Sequence, residues 1–227
     1  MPISRAPRQL ALSLDHAESY ARDDFLSGPS NAAALALVES WPDWPDRAVM
    51  LVGPEGSGKS HLAAIWAAEA GARSVAAHLL EQAAVPMALA TGALVVDDVA
   101  PGGLDERALF HLLNLVREEQ AFVLLTARTP PAGWDLEIRD LGSRLKALPV
   151  VTTAAPDDGL LRAVLVKLFA DRQLAVDEAL VGYVATRIER SFAAARDIVT
   201  KLDQEAMRQQ RALTRVLAAE VLRADEA

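Results

Sequence analysis

The chain has 227 residues, 52% of them apolar, enough for one large domain or a core domain with a small appendage. Its net charge of -8 argues against the clustered Lys and Arg that grip a nucleic-acid backbone, and without cysteine it has neither disulfides nor thiolate metal sites. No segment has the length and apolarity of a membrane span, and Leu10-Ala11-Leu12-Ser13-Leu14 is too short for a signal-peptide core, so a cytoplasmic protein without a membrane partner is expected.

In chain order, Gln9-Leu10-Ala11-Leu12-Ser13-Leu14 alternates polar or small residues with leucines. Extended, it places Leu10, Leu12 and Leu14 on one side for an apolar groove, with the Gln9 amide as an anchor; a first strand or an N-terminal staple would show the same alternation. Trp41-Pro42-Asp43-Trp44-Pro45 reads as a stiff loop packing two rings ahead of the first strand, 48–52. Beyond it a helix is expected over 61–69, ended by Gly71, then a strand over 73–78. Residues 79–90 read as a helix broken around Pro86, and 93–96 as a buried strand. A helix over 104–119 buries Leu109, Leu112, Leu113 and Val116, a strand over 121–126 is stopped by Pro130-Pro131, and 148–152 supplies a fifth strand. The alternation predicts an α/β fold, a five-stranded parallel sheet with helices on both faces. After Pro156 only amphipathic helices remain, over 157–171, 177–188, 191–210 and 213–223. The expected organisation is therefore an N-terminal peptide and linker (1–19), a nucleotide-binding α/β domain (20–155) and a small helical domain (156–227).

The chemistry gathers at two places. Gly53-Pro54-Glu55-Gly56-Ser57-Gly58-Lys59-Ser60 fills every position of the G-x-x-x-x-G-K-[ST] phosphate loop and follows an apolar strand, as that loop requires. Glycines let successive N–H groups face phosphate oxygens at a helix start; Lys59 would reach the β- and γ-phosphates and Ser60 would hold Mg²⁺. With His61 at the head of the helix, this is the candidate site for ADP or ATP. The second place is Asp97-Asp98, at the end of Leu94-Val95-Val96. Asp97 is placed to hold Mg²⁺ and Asp98 to orient or deprotonate an attacking water. The four histidines are scattered singly and suggest no metal-ligand set.

The phosphate loop, Leu94-Val95-Val96-Asp97-Asp98-Val99 and the helical tail resemble the AAA+ module of the bacterial replication initiator DnaA. The resemblance covers about residues 20 to 223. It implies an AAA+ α/β domain with a helical lid, an adenine pocket bordered by Phe25-Leu26-Ser27-Gly28-Pro29-Ser30-Asn31 (Phe25, Leu26 and Asn31 foremost), and Thr126 at the first sensor. It makes Arg144, in Leu141-Gly142-Ser143-Arg144-Leu145, an arginine finger offered to a neighbouring subunit's nucleotide. Two positions depart from the pattern: Ala193 stands where the second-sensor arginine is expected, with Arg190 and Arg196 three residues to either side, and Arg128 stands where the family tends to have an acid.

The sequence leaves no room for the initiator's helix-turn-helix domain, so no direct sequence-specific DNA binding is expected. The peptide at Gln9, Leu10, Leu12 and Leu14 resembles the Gln-Leu-x-Leu-x-Leu motif that docks on the β sliding clamp of DNA polymerase III. Together these features resemble the DnaA-related regulatory inactivators. That likeness implies a regulator that docks on the clamp and stimulates ATP hydrolysis by DnaA, preventing re-initiation of replication, with at most weak ATPase activity of its own. A homodimer or larger homo-oligomer stays open, as do a self-sufficient AAA+ ATPase that loads or remodels a replication protein and a pure adaptor whose nucleotide only stabilises the fold.

Overall fold

The computed structural model describes residues 20–225; the candidate clamp peptide, Gln9 to Leu14, lies outside the described residues. Five parallel strands run in the order β2-β3-β4-β1-β5: β1 (Ala48–Val52), β2 (Arg73–Ala76), β3 (Ala93–Val99), β4 (Phe122–Ala127) and β5 (Val150–Thr152). Every residue of β1 is buried, as expected of a central parallel strand covered on both faces. Its alternate side chains enter two different cores. Met50 joins Leu94, Val96 and Leu125 against α4 (Glu106–Glu118) and α5 (Arg139–Ala147), which contribute Leu109, Leu112, Leu141 and Leu145. Val49 and Leu51 join Val95 and Leu124 against α1 (Ala32–Glu39) and α2 (Lys59–Ala70), which contribute Leu35, Val38, Leu62 and Trp66.

Local signals explain most boundaries. Asp105 caps α4 by accepting from the Arg107 and Ala108 N–H groups, and Gly71, at φ 63°, closes α2 through its N–H to the Ala67 carbonyl. Trp44 stacks on Trp66 at 4.9 Å, and Trp41 meets Phe122 edge-on, which ties the loop before β1 to the sheet.

Three features depart from expectation. Residues 79–90 hold no broken helix: two 3₁₀ turns (Ala77–Leu79, Gln82–Ala84) lead into the one-turn helix α3 (Val85–Ala88). Pro86 lies in the first turn of α3, where a missing N–H costs nothing, so it starts the helix instead of breaking it. The helices α1 and α5 were not foreseen; α5 buries only Leu141 and Leu145, a stripe too narrow to stand out among its charges. Finally, β3 continues past Val96 to Val99 through a bulge.

Beyond β5 the chain forms α6 (Asp158–Asp171), α7 (Glu178–Ala185), α8 (Phe192–Gln209) and α9 (Arg215–Asp225). Asp157, Asp177 and Ser191 cap the first three, accepting from the N–H groups of Leu160, Leu180 and Ala194. These helices share a core of their own, with Leu165, Phe169, Val184, Val199 and Leu202 fully or almost fully buried. They rest against the sheet layer where Leu160 abuts Gly28 and where the start of α8 meets the phosphate loop. Among the described residues no helix is long and apolar enough to cross a membrane.

Candidate nucleotide site

The 53–60 loop leaves the C-terminal end of β1 and enters α2, with Gly56 at φ 69° and Gly58 at φ 92°, conformations that L side chains rarely adopt. A side chain at Gly53 would bring its Cβ to 2.2 Å from Thr153 Oγ1, and one at Gly56 to 2.7 Å from Ser191 Cβ, so both glycines are also demanded by packing. Lys59 is only 8% exposed, and its Nζ donates to the carbonyls of Gly53 and Pro54, 2.8 Å each, so the loop wraps its own lysine. Burial lowers the Lys59 pKa from its usual value, partly offset by Asp97 and Asp98. Ser57 is fastened from behind, its Oγ 2.8 Å from Thr153 Oγ1 in a buried hydrogen bond.

The acidic half of the site is built by the bulge. Val96 pairs with Leu125 and Val99 with Ala127, so Asp97 and Asp98 together oppose the single residue Thr126. Asp98 accommodates the extra residue at φ 57°. The Thr126 hydroxyl serves both acids: it donates to Asp97 Oδ1 at 2.5 Å and accepts from the Asp98 N–H at 2.9 Å. Ser60 Oγ donates to Asp97 Oδ2 at 3.2 Å, which brings one hydroxyl and one carboxylate together at the head of α2. That donor pair suits Mg²⁺, a hard cation that takes one or two protein oxygens and completes its shell from water and phosphate. Arg128, just past β4, reaches across this edge, donating to Glu55 Oε2 at 2.6 Å and to Asp98 Oδ1 at 3.2 Å.

On the opposite side of the loop, buried Phe25 meets the His61 ring edge-on at 5.2 Å, and Tyr20 meets it at 5.3 Å. His61 lies 3.1 Å from the Ala21 carbonyl, and burial lowers its pKa from the usual value. Buried Asn31 holds its segment in shape: its Oδ1 accepts from the Gly28 N–H at 2.8 Å and its Nδ2 donates to the carbonyl of half-buried Leu26 at 3.1 Å. The helical tail completes the site. The Phe192 N–H donates to the Gly56 carbonyl at 2.8 Å, and the Phe192 ring, with that of Phe25, lies in van der Waals range of a Cβ built at Gly58.

No protein-family model and no curated protein matches the chain by sequence. Solved structures do match. Domain III of the replication initiation protein DnaA from Thermotoga maritima superposes with a TM-score of 0.76 at 18% identity, covering 90% of this chain and 96% of that one. The Thermotoga maritima RuvB Holliday junction branch migration motor gives 0.73 at 15% identity over 91% of this chain and 72% of its own. AMPPCP-bound DnaA from Aquifex aeolicus gives 0.67 at 16%, over 84% of this chain and 69% of its own. The chain has an AAA+ fold.

Within that AAA+ fold the structure brings Gly53 to His61, Asp97, Asp98 and Thr126 to one edge, the C-terminal ends of the strands where open α/β sheets place ligands. Arg144 lies elsewhere. It stands half-buried on α5, with Nη1 donating to Asn114 Oδ1 at 2.5 Å and the guanidinium 4.7 Å above the Phe110 ring, both on α4. Ala193 lies against the loop, 3.3 Å from a Cβ built at Gly56, while Arg190 pairs with Asp158 at 2.8 Å. Sequence reasoning missed Thr153, Ser191 and Phe192 as loop supports. Thr153 carries no motif; Ser191 and Phe192 were visible only as a helix start.

Proposed function

We propose that this AAA+ module binds ADP or ATP with Mg²⁺ at the 53–60 loop and works as a regulator resembling Hda, the inactivator of DnaA. The observation that carries the nucleotide reading is the loop closed around Lys59 beside the Ser60–Asp97 pair. Gly53 to Ser60 would cradle the phosphates, with Phe25, Leu26 and Asn31 bordering the base. Ser60 and Asp97 would hold Mg²⁺, which supplies charge neutralisation on the phosphates. Docked on the β sliding clamp through Gln9, Leu10, Leu12 and Leu14, the protein would present Arg144 to the ATP of DnaA and stimulate its hydrolysis, preventing re-initiation of replication.

Two features favour action in trans. Arg144 is braced by Asn114 and Phe110, two residues of α4 and not of the chain's own phosphate loop. At the helical tail, Ala193 stands against that loop, at the position where the resemblance leads one to expect the second-sensor arginine. A second reading, a self-sufficient AAA+ ATPase, is supported by the intact set Lys59, Ser60, Asp97 and Asp98.

The deciding experiment follows single-turnover hydrolysis of ATP on DnaA with clamp-loaded DNA present. Arginine fingers contribute roughly 10³ to 10⁵ in rate, so Arg144→Ala is expected to remove nearly all stimulation while leaving nucleotide binding intact. Arg144→Lys should rescue little, since a point charge does not reproduce the planar fork. Undiminished stimulation by Arg144→Ala would reject the trans mechanism, and substantial turnover by the isolated protein would favour the second reading.

A further inference from the structure

Arg128 is the first residue after β4, and the strand places it beside the start of the phosphate loop, because the Gly53 N–H donates to the carbonyl of the preceding Ala127 at 3.1 Å. Its guanidinium divides between two acids. Nη1 meets Glu55 Oε2, in the loop, at 2.6 Å; Nε meets Asp98 Oδ1 at 3.2 Å and Nη2 lies 3.5 Å from Asp98 Oδ2, so the fork addresses both Asp98 oxygens. Asp98 has little freedom to evade it: the bulge sets its backbone at φ 57°, and its N–H is tied to Thr126.

We propose that Arg128 is a positioning residue that latches Asp98 away from the attacking water, so that the site retains nucleotide instead of hydrolysing it. The proposal rests on the nucleotide reading above and deepens it. A carboxylate can orient or deprotonate water only through lone pairs that are free and rightly directed; the guanidinium engages one site on each Asp98 oxygen and so fixes where the remaining ones point. By bridging Asp98 to Glu55, the same side chain lies between the bulge and the loop. Stability does not account for the arrangement. The side chains of Arg128 and Asp98 are each 53% exposed and that of Glu55 is 74% exposed, and ion pairs this open contribute little to folding. A guanidinium stays charged across the working pH range, so the latch does not open by titration of Arg128.

The test compares wild type, Arg128→Ala, Arg128→Lys, Asp98→Asn and the Arg128→Ala/Asp98→Asn double variant of the full chain. Binding of a fluorescent ATP analogue is titrated first. Hydrolysis of ATP is then followed in single turnover with protein in excess of ATP and well above each variant's measured Kd, so that the rate is independent of affinity. Arg128→Ala is expected to hydrolyse at least about tenfold faster than wild type, a part of the roughly 10² to 10⁴ that a positioned general base supplies. Arg128→Lys should fall between the two, the double variant should lose the gain, and melting temperatures should stay together. An unchanged or slower rate in Arg128→Ala overturns the latch, the slower rate showing that Arg128 instead aids hydrolysis. Persistence of the gain in the double variant overturns it as well, since Asp98 would then not be the group released. Failure of the wild type to bind the analogue overturns the nucleotide reading itself, and the latch with it; binding without any rate change overturns the latch alone.

Discussion

A single hydroxyl organises the acidic half of the site. Thr126 has one proton, donated to Asp97, and accepts from the Asp98 N–H, so the two neighbouring acids are held in different attitudes by one side chain. Asp97 is left facing Ser60, and Asp98 faces Arg128. Opposite them, Lys59 bonds to two loop carbonyls, contacts that a phosphate would have to replace. Lys59→Ala should therefore remove nucleotide binding with little harm to the apo fold. Ligand at 100 times its Kd stabilises a folded protein by about 2.7 kcal/mol. For a chain of this length that corresponds to roughly 5–10 °C in Tm. Wild type should show this rise with saturating ADP and Mg²⁺ in a thermal melt, and Lys59→Ala should show none; equal shifts in both would reject the lysine's role. At this scale the phosphate loop and Asp97-Asp98 were legible because a motif fixes residue types at fixed spacing. Arg128 was visible only as a departure from a pattern: its partners are 30 and 73 residues away in sequence, and no local rule connects them.

Among the elements, the strands were the most legible, since a parallel strand buried on both faces is a run of apolar residues with nothing else to be. The bulge was not. Asp97 and Asp98 read as the polar end of a strand, and only pairing with β4 shows that two residues oppose one. The start of α8 was equally opaque in its role. Ser191 announces a helix cap, but its contact with Gly56 depends on how the helical tail folds back on the sheet. Phe192 closes that contact with its backbone N–H and its ring, and it is 7% exposed. Truncation to alanine would empty the space beside Gly58 and Phe25 while leaving the helix cap in place. Phe192→Ala should cost about 3 kcal/mol in urea denaturation and weaken nucleotide affinity, because large-to-small changes at buried sites leave a cavity. A loss below about 1 kcal/mol, typical of exposed positions, would show that α8 does not hold the loop.

At the scale of the molecule, the two proposed functions are separated along the chain. The described residues form a sheet with two apolar faces and a helical unit with its own core, meeting at the 53–60 loop, so the candidate nucleotide site depends on both. The proposed clamp peptide precedes all of it. Its pattern is an extended one, leucines alternating from Leu10 to Leu14 behind the Gln9 amide, and such peptides bind by side chains entering pockets in the partner. Replacing Gln9 and Leu10 together by alanine should therefore abolish binding to the β sliding clamp while leaving Tm and nucleotide affinity unchanged. Surface plasmon resonance on immobilised clamp, paired with a fluorescent-ADP titration of the same preparations, measures both. Clamp affinity equal to wild type would remove the peptide assignment. A loss of nucleotide affinity in the same variant would instead show that the leucines pack on the AAA+ domain as a strand or staple, the competing meaning of the same alternation.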